Sequence, residues 1–344
     1  MQTLTITQPD DWHLHVRTGD MLKTVINHTA RQCARAIIMP NLQPPVTNVE
    51  QAFHYQQEIQ QATESQYDFT PLMVLYLTNE TSPEDVKKAA EADFVQAFKL
   101  YPAGATTNSA QGVTDLQALF PTIAAMEKYD VPLLIHGEVT DADIDIFDRE
   151  RLFIETKLSL LQKTFPNLRI VLEHVTTKDA VDFVMSASDK IAATITPQHL
   201  LYNRNAILVG GIKPHYYCLP ILKRETHRLA LVEAATSGNS KFFLGTDSAP
   251  HLSHLKENSC GCAGCYSAYA TIELYAEVFD QANSLDKLEG FASFYGADFY
   301  QLPRNNKIIT LEKIDWQVPA HYAVAEQQLT PLKAGETLHW KLKV

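Results

Sequence analysis

Apolar positions recur along this chain in two alternating rhythms. Short β-rich runs alternate with longer stretches of helical periodicity, the pattern expected for a parallel sheet built from βα units. The runs predict strands over 12–16, 36–39, 72–77, 95–100, 133–136, 169–173, 191–195 and 242–245. Helical spacing predicts helices over 21–33, 49–62, 115–128, 150–165, 178–185 and 222–236, with two more over 266–282 and 285–300. Eight strands with helices between them point to an α/β fold, a closed (β/α)8 barrel of the TIM type, rather than an open sheet. From Asn305 the text changes to short apolar runs near 308–311 and 337–339, separated by Pro319, Pro331 and Gly335. The expected organisation is a barrel over 1–304 and a short C-terminal extension over 305–344 packed on it.

Composition narrows the class without changing that picture. The chain has 344 residues, 45% hydrophobic and 20% charged, ordinary for a folded protein with a sizeable core. A formal net charge of −11 disfavours a nucleic-acid or anionic-membrane surface. No apolar run approaches the roughly 18 residues of a membrane span, and the start lacks the basic region of a signal peptide. Five cysteines without an export signal read as reduced thiols. These features together lead us to expect a cytoplasmic protein.

Candidate chemistry begins at Asp11-Trp12-His13-Leu14-His15-Val16-Arg17. Alternate residues of a strand share a face, so His13 and His15 point together and could hold one metal ion, with Arg17 beside it. Further strand ends repeat the event: Lys99, His136, His174 and Asp247 each close an apolar run. Any one of them alone has a duller explanation, such as a capping aspartate or a snorkelling lysine. In a (β/α)8 barrel, however, the C-terminal strand ends form one rim, so these residues converge. Four histidines and an aspartate exceed the needs of a single four-coordinate zinc and suit two ions sharing a bridge. Lys99 cannot ligate as an ammonium, but its carbamate, formed with carbon dioxide, could be that bridge.

Taken in order, His13, His15, Lys99, His136, His174 and Asp247 resemble the ligand set of the amidohydrolase superfamily. The wording around them is similar to the dihydroorotase family, of monofunctional bacterial type: the Asp11–Arg17 stretch, Met39-Pro40-Asn41, Phe98-Lys99-Leu100-Tyr101-Pro102-Ala103-Gly104, and Gly245-Thr246-Asp247-Ser248-Ala249-Pro250-His251. The likeness runs from about residue 10 to the end, and no ligand position departs from it.

The resemblance implies a reversible cyclisation of N-carbamoyl-L-aspartate to L-dihydroorotate in pyrimidine biosynthesis. It implies two zinc ions per chain: His13 and His15 on the more buried, His136 and His174 on the more exposed, carboxylated Lys99 bridging, and Asp247 completing the first. A metal-bridging hydroxide would attack the ring amide, with Asp247 as general acid and base. It further implies that Arg17, Asn41 and His251 hold the substrate carboxylate, that backbone groups of Leu219 and Ala263 meet the ring, and that the protein is a homodimer. Thr106 and Thr107, in the small polar loop Gly104–Ser109, match residues that reach over substrate, though a solvated turn remains open.

Other readings fare worse. A hydantoinase or allantoinase would share the metal site but give Arg17, Asn41 and His251 nothing to pair with. A non-catalytic descendant would be expected to lose ligands, and none is missing. A nucleic-acid or carbohydrate module finds no basic or aromatic stripe. Cys260-x-Cys262-x-x-Cys265 lacks a second pair at metal-site spacing. His28, His54, His199, His215, His227 and His254 are expected to be satisfied polar or surface residues.

Overall fold

A computed structural model describes residues 2–343. Among them, eight strands make one parallel sheet in sequential order: β2 (Asp10–Leu14), β3 (Arg35–Ile38), β4 (Thr70–Leu77), β5 (Val95–Leu100), β6 (Leu133–Ile135), β7 (Ile170–Leu172), β8 (Ile191–Ile195) and β9 (Phe242–Leu244). This is the expected TIM-type barrel. Its seam is closed by main-chain bonds just beyond the strand ends, Asp247 N to His13 O at 2.9 Å and His15 N to Ser248 O at 3.1 Å. The seam thus fixes three of the candidate ligands at once.

The alternation inside each strand explains where polarity appears. Trp12, Ile37, Leu72, Val74, Ala97, Leu134, Val171, Ala192 and Phe243 form one buried cluster inside the barrel. Their strand neighbours, such as Phe98, Leu133, Ile170 and Leu244, belong to the larger core under the helices. Stepping two residues onward from the inner set reaches Lys99, His136, Glu173 and Gly245, so the inner face turns from apolar to ligand-bearing at its C-terminal end. On β2 the register shifts between Asp11 and Leu14. That irregularity lets Trp12 and His13 both serve the interior, while Leu14 and Val16 pack outward.

The opposite end is plugged. The chain after β9 returns through the helix Tyr295–Phe299, and Tyr300 stacks on Trp12 with centroids 4.7 Å apart. Gly296 lies against the same indole: a Cβ there would sit 2.0 Å from Trp12 Nε1, so only glycine permits the approach.

Helix starts differ from the sequence reading in several places. Pro83–Ala90 was not anticipated, although Ser82 and Asp85 form a capping box. The helix expected from 115 begins at Phe120, because Asp115 Oδ1 accepts from Gln117 N and Ala118 N and holds a turn first. The helix expected from 266 begins at Thr271, since Ser267 N and Ala268 N are taken by Ser248 Oγ. The region 285–300 is broken into short turns around Gly290–Phe294. A strand before the barrel, β1 (Thr3–Thr7), also escaped the sequence reading. It pairs antiparallel with β10 (Ile308–Gln317), which pairs with β13 (Thr337–Leu342). Between them β11 (Tyr322–Val324) and β12 (Gln327–Leu329) form a hairpin. No described helix is long and apolar enough to cross a membrane.

Candidate functional site

The barrel mouth collects the strand-end residues. At the seam, His13 Nε2 and His15 Nε2 lie 3.4 and 3.1 Å from Asp247 Oδ1. Their ligand atoms all fall within 4.8 Å of one another, a geometry that suits one metal ion. Asp11 braces this group from behind: Oδ1 accepts from His13 N and Thr246 N, and Oδ2 from Thr246 Oγ, tying the first barrel strand to the last. Burial would raise the Asp247 carboxyl, but the imidazoles of His13 and His15 beside it hold it well below the usual range. Burial pushes His15 down to about 3, which keeps its imidazole neutral, as a ligand must be.

Lys99, His136 and His174 stand beside the seam group. The His174 ring is 5.0 Å from that of His13 and 4.8 Å from that of His136. Lys99 is fully buried, and its Nζ has no hydrogen-bond partner among the described residues. Burial lowers its pKa to about 8, with Glu173 and Asp247 opposing. A buried amine without an acceptor is costly as an ammonium, and the chemistry of its surroundings fits a group that converts it to an anion.

Two carboxylates that the sequence reading missed set the histidine tautomers. His13 Nδ1 is 2.9 Å from Glu173 Oε2, so Nδ1 carries the proton and Nε2 is free to ligate. His136 shows the reverse: Nε2 is 2.9 Å from Glu138 Oε2, leaving Nδ1 as the ligand atom. Thr194 Oγ donates to Glu173 and accepts from His174 N, so one hydroxyl locks both residues. Glu173 could have been found by strand alternation from Val171. Glu138 follows β6 and offered no such signal.

Three site residues hold left-handed backbone. Arg17, His174 and Asp247 have φ of 59°, 42° and 44°, a region L-residues visit at a cost of about 1–3 kcal/mol. His174 reaches the interior by this means, since in strict alternation Glu173 takes the inward place.

The expected substrate-contact residues gather over the metal-type ligands. Most of them line one small cavity bounded by His13, His15, Arg17, Asn41, Tyr101, Thr106, Thr107, His136, His174, Leu219, Asp247 and Ala263. His251 stands behind Arg17, its Nε2 3.2 Å from Arg17 Nη2 and 3.0 Å from Ala263 O. Burial and then Arg17 push His251 down to about 2, so it is neutral and its Nε2–H donates to Ala263 O. Arg17 Nη1 and Asn41 Oδ1 have no partner among the described residues. The polar loop is docked: Asn41 Nδ2 donates to Thr107 O at 3.1 Å, Asn108 Nδ2 to Asn41 O at 3.1 Å, and Thr107 Oγ contacts Ala263 O at 3.4 Å. Thr106 and Thr107 therefore face the cavity rather than forming an isolated turn.

Lys256, also unforeseen, staples the far wall. Its buried Nζ donates to Tyr217 O at 3.1 Å, Cys262 O at 2.9 Å and Gly264 O at 2.6 Å, using all three protons. It joins the segment carrying Leu219 to the one carrying Ala263. The cysteine-rich stretch is thus a loop gripped through its carbonyls, and all five thiols are free. His199 and His227 bond to Pro220 O and Lys178 N, as satisfied polar residues do, while His215 bonds to Glu257 through Nε2 and leaves Nδ1 without a partner among the described residues.

No family model matches the chain. A dihydroorotase of Acaryochloris marina is 62% identical over 342 residues, covering 99% of this chain and 99% of its own. The crystal structure of a Campylobacter jejuni dihydroorotase superposes with a TM-score of 0.91 at 38% identity, over 99% of this chain and 98% of that one. The Saccharomyces cerevisiae dihydroorotase in complex with 5-fluoroorotic acid gives 0.90 at 34% identity, over 100% and 99%.

Proposed function

Because this chain belongs to the dihydroorotase family, we propose that it interconverts N-carbamoyl-L-aspartate and L-dihydroorotate in pyrimidine biosynthesis through the residues of the barrel mouth. One observation carries the assignment of roles: the tight His13, His15 and Asp247 group opens into the same cavity as the unpaired edge of Arg17. A metal-type centre beside a cationic fork suits a cyclic amide that carries a carboxylate.

Two zinc ions are proposed, held by His13, His15 and Asp247 on one side and His136 and His174 on the other, with carboxylated Lys99 between. The lysine's burial, its lack of a partner and its lowered pKa support the modification, since carbon dioxide adds to the neutral amine. When bound, such a pair supplies a nucleophile at neutral pH and polarises the carbonyl under attack. The chain's own residues do the rest. Asp247 takes the proton from attacking water and returns it to the departing ring nitrogen. Arg17 offers Nη1 and Asn41 its side-chain amide to the carboxylate, with neutral His251 backing the arginine. Main-chain groups of Leu219 and Ala263 meet the ring, and Thr106 and Thr107 cover it. A cytoplasmic location, read from composition, and a homodimer, read from the family resemblance, complete the proposal; light scattering tests the dimer.

The test is turnover of L-dihydroorotate by zinc-loaded protein, with hydantoin and allantoin in parallel. Activity confined to dihydroorotate is expected. Turnover of the neutral rings instead would overturn the roles given to Arg17, Asn41 and His251.

A further inference from the structure

We propose that Tyr101 is an additional catalytic residue, its phenol donating a hydrogen bond to the substrate carbonyl oxygen on which charge develops. The proposal rests on the reaction assigned above. Tyr101 follows β5 and continues the inward alternation of Ala97 and Lys99. Its ring is held on several sides: Tyr76 stacks on it at 5.1 Å, Lys99 Nζ lies 5.1 Å from its centroid, and the His136 ring is 6.3 Å away. The residue is 1% exposed and lines the cavity. Its main chain is pinned as well, with Tyr101 O accepting from Val113 N at 2.8 Å.

Against that rigidity stands one loose end. The Tyr101 hydroxyl is buried and has no partner among the described residues. An unsatisfied buried hydroxyl costs about 1–3 kcal/mol, and a phenylalanine would fill the same space without that cost. The stacked neighbour Tyr76 does use its hydroxyl, which approaches Asn108 O at 3.4 Å. A phenol held rigid and unpaired, on a residue that lines the substrate cavity, is matched only when an acceptor arrives. Arg17, Asn41 and His251 already answer for the carboxylate, and the ring of Tyr101 packs on the Lys99 and His136 side. The acceptor that remains is the carbonyl attacked there. A donor already aimed at a developing oxyanion needs no reorganisation as charge builds up.

Tyr101→Phe tests this, because it keeps the ring and removes one oxygen. With zinc-loaded protein, kcat for L-dihydroorotate is expected to fall on the order of 10- to 100-fold, with KM and metal content unchanged. The thermal midpoint should hold or rise, which excludes a merely structural role. An unchanged kcat would make the hydroxyl idle and overturn the proposal. So would loss of metal, which would place the hydroxyl on the lysine, or a raised KM with kcat intact, which would make it a simple binding contact. Wild-type protein inactive on dihydroorotate would instead reject the underlying reaction, a distinct result.

Discussion

The two ends of this barrel are built from the same strands and obey opposite rules. At the plugged end, charged groups are paired and aromatics close-packed. Asp10 is buried, yet Arg35 grips both its oxygens at 3.0 and 2.6 Å and Asn305 Nδ2 adds a third bond at 2.9 Å. Trp12, Phe243 and Tyr300 fill the axis, and of their polar atoms the Tyr300 hydroxyl is left without a partner. At the mouth, Arg17, Asn41, Lys99 and Tyr101 all keep an unpaired polar atom, and His15 and His174 each keep a free Nδ1. Left-handed backbone does not separate the ends, since Arg17, His174 and Asp247 hold it at the mouth and Asp130 and Gln301 at the plug. Unpaired buried groups are destabilising wherever they occur, so their gathering at the mouth marks where the fold gives up stability for chemistry. The plug and the Asp11 clamp make that concession tolerable.

If the ends are so divided, substitutions should sort cleanly between activity and stability. The largest effect belongs to the mouth: Lys99→Ala should cost on the order of 10³-fold or more in turnover and lose metal, read by elemental analysis. Two ions retained per chain would refute the bridging role. At the plug, Gly296→Ala forces a methyl onto the Trp12 indole. Its expected cost is about 3 kcal/mol in urea unfolding, while turnover per folded molecule stays unchanged.

Arg17→Met should weaken dihydroorotate binding by about 100-fold with metal content intact, the loss expected for a charge-assisted contact. Unaltered KM would remove Arg17 from the pocket.

Glu150 sharpens the comparison through pH. Its buried carboxyl accepts from Thr176 N at 2.9 Å beside the mouth, and burial raises its pKa to about 7. The folded state therefore holds a proton that the unfolded chain releases, so this group lowers stability as pH rises from about 4.5 through about 7. Glu150→Gln should gain on wild type by roughly 1–3 kcal/mol between pH 5 and pH 8. A pH-independent difference would contradict the raised pKa. The mildest case is Lys256→Met, which loosens the wall carrying Leu219 and Ala263. KM should rise by about tenfold with kcat nearly constant; a fall in kcat alone would argue against a positioning role.

What could be read from the sequence follows the same division. All eight barrel strands were legible because their burial on both faces leaves dense apolar runs, and β5 and β8 match to the residue. β1 was not, since Thr3-Leu4-Thr5-Ile6 is half-exposed and its partner β10 lies some 300 residues away. The ligand-type residues stood out because histidine, lysine and aspartate are unusual at the ends of such runs. Glu138, Glu173, Tyr101 and Lys256 did not, because what each does depends on an atom from a distant segment. Alternation from Val171 turns Glu173 inward but does not give His13 as its partner, and Lys256 near Tyr217 is a product of the closed barrel of which local pattern holds no trace.

The most direct test is the urea midpoint of metal-free Lys99→Met beside metal-free wild type. If the mouth gives up stability for chemistry, replacing an unpartnered buried amine by an apolar side chain of similar length should leave the midpoint equal or higher. A fall comparable to that of Gly296→Ala would mean that Lys99 supports the fold, and the separation of the two ends would not stand.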